Sequence, residues 1–131
     1  MHDSRLTTAR VARLATTDED GRPHLVPIVF AIDGDTLYSA VDRKAKRSRR
    51  LRRIENARAR PDVTVLVDHY EDDWSRLWWI RLRGSARVLD DGSERERALT
   101  LLRDKYPQYV VEPPDGAVLA IDVTEHREWH A

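Results

Sequence analysis

The chain has 131 residues, no cysteine, and 23 Lys or Arg against 23 Asp or Glu, for a formal net charge of zero. Its length suits one domain over residues 1–131. With 40% hydrophobic and 35% charged residues it is a poor candidate for disorder, and without cysteine it has no disulfide, thiolate nucleophile or thiolate metal site. No apolar run approaches the roughly 18 to 20 residues that a membrane helix needs, and Met1–Arg10 lacks a secretory apolar stretch. The cytoplasm is therefore the expected location, with no membrane partner.

Val11 to Thr17 reads as a strand, Asp18 to Gly21 as a turn, and His24 to Ile32 as a second, strongly β-prone strand. Asp33, Gly34 and Asp35 turn the chain into a third strand, Thr36 to Val41. Leu51 and Ile54 at helical spacing, with Pro61 as a stop, predict a helix over Lys46 to Arg60. Val63 to Tyr70 and Leu77 to Leu89 predict two further strands around the acidic turn Glu71 to Trp74. Ser93 is placed to cap a helix Glu94 to Lys105, which Pro107 stops. A sixth strand, Ala117 to Val123, precedes a polar tail that is as suited to fraying as to helix. Three strands, a helix, two strands, a helix and a strand predict a mainly β fold, a six-stranded antiparallel barrel, closed or nearly so, with peripheral helices. No Gly-x-Gly-x-x-Gly or Walker-type motif occurs, so any phosphate is bound another way.

Three stretches carry the chemistry. In Leu77 to Leu89, alternation sets Trp78, Ile80 and Leu82 on the core face and Trp79, Arg81 and Arg83 on the other. An outward Trp79 covers a ligand, a partner subunit or both, or else packs under a loop or helix. In His24 to Ile32, Val26, Ile28 and Phe30 alternate with the equally apolar Leu25, Pro27 and Val29, so a second face needs cover from a helix or another subunit, and a homodimer is the better explanation. Pro27 suits an edge strand or a place where a planar ligand meets backbone. Finally, Arg43 to Arg60 holds ten Lys or Arg against the single acid Glu55, a concentrated site for an anion. Lys44 and Lys46, nearest the end of the strand, are the preferred binders. Zero net charge and no aromatic platform beside this helix weigh against nucleic acid.

The pattern from "VARLATT" through "DGRPHLVP", "LYSAVDRKAKR" and "DHYEDDWSRLWW" resembles the pyridoxamine 5′-phosphate oxidase-like superfamily, over about Val11 to Val123. More closely, it resembles the actinobacterial F420-dependent oxidoreductases of the split-barrel kind. The resemblance implies a split barrel and a homodimer with two cofactor sites in grooves between subunits. It implies an oxidoreductase using coenzyme F420, with FMN as the alternative, that exchanges a hydride with a small conjugated substrate. A noncatalytic cofactor carrier on the same fold is the remaining possibility, and no catalytic acid or base is singled out. Carried over by position, Pro27, Ile28 and Val29 border the tricyclic ring, while Ser39, Ala40 and Val41 lie along the ring and its ribityl chain. Lys44 and Lys46 meet phosphate or the acidic tail, and Trp79 and Arg81 fall where relatives place cofactor-facing residues on the long strand. The chain is shorter than pyridoxamine phosphate oxidases proper and lacks their C-terminal Arg-rich substrate segment, which argues against pyridoxamine oxidation.

Overall fold

The computed structural model describes residues 3–40 and 48–131. Its strands are β1 (Ala12–Thr17), β2 (Pro23–Ile28), β3 (Ala31–Asp33), β4 (Thr36–Ala40), β5 (Asp62–His69), β6 (Trp78–Leu89) and β7 (Val118–His130). Its helices are α1 (Ser4–Thr8), α2 (Ser48–Ala59), α3 (Ser93–Lys105) and α4 (Gln108–Val111). The strands form one antiparallel sheet in the order β2-β1-β5-β6-β7-β4-β3. Its two edge strands, β2 and β3, are separated in sequence only by Val29 and Phe30, so the sheet curls until its edges meet at that dipeptide.

The mainly β fold with few helices agrees with the sequence reading, but seven strands replace the expected six because His24 to Ile32 is not one strand. Its first part pairs with β1, Leu14 opposite Val26, and its last part pairs with β4, Ile32 opposite Leu37. At the break, the Tyr106 hydroxyl accepts the Phe30 N–H at 3.1 Å and lies 3.1 Å from the Phe30 carbonyl and 3.0 Å from that of Arg10, one of which takes its proton. One side chain thus replaces the ladder bonds that a continuous strand would make.

Alternation decides which side chains fill the curl. Leu14, Phe30, Leu37, Val65, Val67, Ile80, Leu82, Leu119 and Ile121 are buried inside it, joined by Leu6 of α1 and by Ile54 and Ala57 of α2. A second apolar cluster lies outside, where Ala98, Leu99 and Leu102 of α3 with Tyr106 and Tyr109 cover Ala31, Tyr38, Ala40, Val118 and Ala120. β4 is consequently buried on both faces over Leu37–Ala40. An ionic clamp fixes α3 to the sheet. Arg87 donates to Glu94 at 2.8 and 2.9 Å and to Asp122 at 2.6 and 3.0 Å, while the Tyr38 hydroxyl donates to Glu94 at 2.7 Å.

Two local expectations need correction. Ser93 is the first residue of α3, and the cap position belongs to Gly92, whose φ of 96° is a conformation that an L side chain rarely adopts. The polar tail is neither frayed nor helical. β7 continues to His130, its backbone paired with β6 as far as Trp78. Between Arg83 and Gly84 the register shifts, and the strands approach so closely there that a Cβ on Gly84 would sit 2.3 Å from the Asp122 carbonyl oxygen.

Candidate functional site

The break between β2 and β3 shapes a cavity. Pro27 lies next to the last residue of an edge strand that pairs only with β1, and Val29 leaves the sheet before Ala31 joins the opposite edge. The notch between them is about 240 Å³ and is lined by Pro27, Ile28, Val29, Ser39 and Ala40, together with Val11, Arg53 and Tyr109. Five expected site residues from two separate strands therefore share one groove. The alternation of β2 sends Ile28 into the core and leaves Pro27 exposed, so the groove's rim is backbone and proline ring. Ser39 and Ala40 enter it from the doubly buried end of β4.

Arg53, Tyr109 and Val11 were not singled out in the sequence. Arg53 is only 6% exposed, an unusual place for a guanidinium. The available signal was helical spacing: Arg53 lies one residue before Ile54 and four before Ala57, both in the core. Tyr109 follows Pro107 in the short α4, and nothing local distinguishes it from the exposed Val110 and Val111 beside it.

The remaining expected residues lie elsewhere. Val41, Lys44 and Lys46, like Arg43 and Arg47, fall outside the described residues. Trp79 and Arg81 occupy the outer face of β6, three strands from β2, on the order of 14 Å along the sheet at ordinary strand spacing. They are half-buried, with the Arg81 guanidinium carbon 5.4 Å from the centre of the Trp79 ring. The Arg81 Nε is buried without a hydrogen-bond partner among the described residues. Trp79 faces Asp68 of β5 on one side and Trp129 of β7 on the other. The same outer face carries Leu25, 67% exposed, paired with Ala15, and Trp129, 42% exposed.

The groove fits a planar heterocycle. Its apolar lining suits the faces of a ring system, its volume is of the order of a small-ligand site, and Arg53 supplies the positive charge that ring carbonyls or a phosphate would meet.

Residues 2–130 match the family model described as pyridoxamine 5′-phosphate oxidase. The chain belongs to this family. Among solved structures, this family member is similar to a conserved hypothetical protein from Mycobacterium tuberculosis (19% identity, TM-score 0.78, covering 97% of this chain and 81% of the other). It is also similar to an FAD-binding protein from Mesorhizobium loti (24%, TM-score 0.72, 95% and 88%). A heme-binding protein from Mycobacterium smegmatis shares the architecture as well (18%, TM-score 0.73, 98% of this chain and 55% of the other). At these identities the likeness shows the fold. No curated protein matches the chain. No described helix is long and apolar enough to cross a membrane.

Proposed function

We propose that this family member is an F420-dependent oxidoreductase that works as a homodimer and exchanges a hydride with a small conjugated substrate. The observation that carries the reading is the groove itself. Pro27–Val29 at the strand break, Ser39–Ala40 at the end of β4, and Arg53 on the helix that follows the densest run of cations all line one cavity.

In this reading, Pro27, Ile28 and Val29 lie against one face of the ring, and Ser39, Ala40 and Val41 run along the ring and its ribityl chain. Tyr109 closes the apolar wall. Lys44 and Lys46 neutralise the phosphodiester and the acidic tail, whose charge extends farther from the ring than that of FMN. The exposed face bearing Leu25, Pro27 and Trp129 packs against a second copy, whose Trp79 and Arg81 approach the cofactor from across the interface. The cofactor supplies the hydride chemistry when bound, with the balancing proton exchanged with water. The chain's own residues place the ring, exclude water from one of its faces and hold the tail.

Likeness to an FAD-binding protein gives an FMN-using oxidoreductase as the second reading. Absorbance titration of the purified protein with F420 and FMN side by side separates the two. Tighter binding of F420, weakened by salt or by trimming the glutamates, is the expected result. Tighter binding of FMN would replace the cofactor, and binding without turnover of any conjugated acceptor would leave a carrier.

A further inference from the structure

A second cavity of about 470 Å³ opens beside the groove, between α1 and the ends of β1, β5 and β6. Val11 lines both cavities, and Arg13, in the second, is the direct cross-strand partner of Pro27, in the first. The two spaces thus share Val11 in their linings.

The walls of the second cavity differ in kind. Arg5, Arg10 and Arg13 contribute three guanidinium groups against the single carboxylate of Asp68. Arg5 is already committed, to Asp3 at 2.6 Å and Glu128 at 3.0 Å, and its guanidinium carbon lies 5.1 Å from the centre of the Trp78 ring. Arg13 reaches Asp68 only at 3.8 Å. Arg10 donates to the Lys105 carbonyl at 2.6 Å and has no carboxylate partner among the described residues. Burial, and then the charge of Arg10, push the nearby Lys105 ammonium down to about 8. The same lining also carries aromatic rings. Trp78 stacks with His69 at 6.3 Å between ring centroids and 23° between planes, and Tyr70 stands beside them, largely exposed.

Arg10 and Arg13, one without a carboxylate partner among the described residues and the other with only a long ion pair, share a space of small-ligand size with three aromatic rings, and that combination suits a ligand that is both planar and negatively charged. We propose that this cavity binds a conjugated or aromatic carboxylate, with Arg10 and Arg13 on the carboxylate and Trp78 along the plane. That the bound acid is also the acceptor served by the groove rests on the proposed function and on Val11 lining both cavities.

The test uses calorimetric titration of the intact protein with trans-cinnamate and with the neutral cinnamyl alcohol. Cinnamate is expected to bind with a Kd on the order of a millimolar or tighter, and the alcohol at least about tenfold more weakly. Arg10→Gln and Arg13→Gln should each weaken cinnamate about five- to tenfold, Arg13→Lys much less, and none should alter F420 affinity. Thermal melting shows whether each variant is folded. Cinnamate should also shift the absorbance of bound F420, because Val11 lines both sites. Equal binding of alcohol and acid, or cinnamate affinity indifferent to both Gln variants, overturns the proposal. A parallel loss of F420 affinity in those variants also overturns it, by making the cavity part of the cofactor's own tail site. No absorbance shift removes the acceptor role. Failure of F420 to bind while cinnamate keeps its arginine dependence instead sinks the cofactor reading and leaves the carboxylate site standing.

Discussion

Tyr106→Phe tests the strand break most directly, because it deletes one oxygen and leaves the ring packing intact. That oxygen serves the N–H and carbonyl of the fully buried Phe30, at 3.1 Å each, and the carbonyl of Arg10 at 3.0 Å. Burial raises its pKa against the opposing pull of the Phe30 hydrogen bond and of Arg10, so the hydroxyl stays protonated and can both donate and accept. Without it, two backbone groups in a dry core lose their partner, at about 1–3 kcal/mol each with partial relaxation, so the loss of stability is roughly 2–4 kcal/mol. For a domain of this size that corresponds to a fall in Tm of about 8–15 °C. Urea and thermal unfolding of the variant measure it, with Tyr70→Phe at a largely exposed position as the control that should not change. Because Phe30 adjoins Val29 in the groove, cofactor affinity should fall with stability. A Tyr106→Phe protein that melts within about 2 °C of the parent would show that the break holds itself without the hydroxyl.

Gly84→Ala should destabilise by about 2–4 kcal/mol, measured by urea unfolding, because its Cβ would meet the Asp122 carbonyl oxygen at 2.3 Å and the carbonyl carbon at 2.9 Å, both backbone atoms. The Arg87 clamp predicts a pH dependence. Hydrogen bonds from Arg87 and then Tyr38 lower Glu94 from 4.5 to about 2, so its contribution is complete above pH 4.5 and disappears as pH falls toward 2. The Glu94 side chain is 30% exposed and that of Arg87 41%, so after screening the loss across that window is about 1–2 kcal/mol. Unfolding at stepped pH should show that loss in the parent and a flatter profile in Arg87→Gln. Lys44→Ala and Lys46→Ala should each weaken F420 by about 5- to 150-fold with little change in Tm. Trp79→Ala should weaken both cofactor binding and dimerisation, read by titration and sedimentation, whereas Trp78→Ala should chiefly lower Tm, since Trp78 packs against the core cluster.

The long strand was legible because its alternation is strict. Ile80 and Leu82 are fully buried, as the period of two requires. The break at Val29–Phe30 was not, because every residue from His24 to Ile32 except Pro27 is compatible with one strand, and the group that interrupts it, Tyr106, lies 76 residues away. The continuation of the C-terminal strand beyond Val123 was hidden for a related reason. Its composition is that of a solvated tail, and the cause of its extension is the full-length backbone pairing offered by β6. In the groove, Pro27 to Val29 and Ser39 to Ala40 were recognisable through a family resemblance attached to local motifs. Arg53 was lost within a run of cations, where spacing alone does not say which one the tertiary fold will bury.

The way the curl closes also dictates when the groove can exist. The hairpins β1–β2 and β3–β4 are local in sequence, yet they occupy opposite ends of the sheet and are linked through β5, β6 and β7. Neither hairpin can meet the other across Val29–Phe30 until pairings as distant as Leu37 with Ile121 are in place. Contacts of such long separation carry most of the loop-closure cost and form late. The topology therefore predicts that the notch is assembled late in folding, an order that pulsed hydrogen exchange at Phe30 and Ala31 would check. Any ligand that fills it acts as a keystone, and its binding reports on the integrity of the whole ring of strands rather than on the few residues it touches.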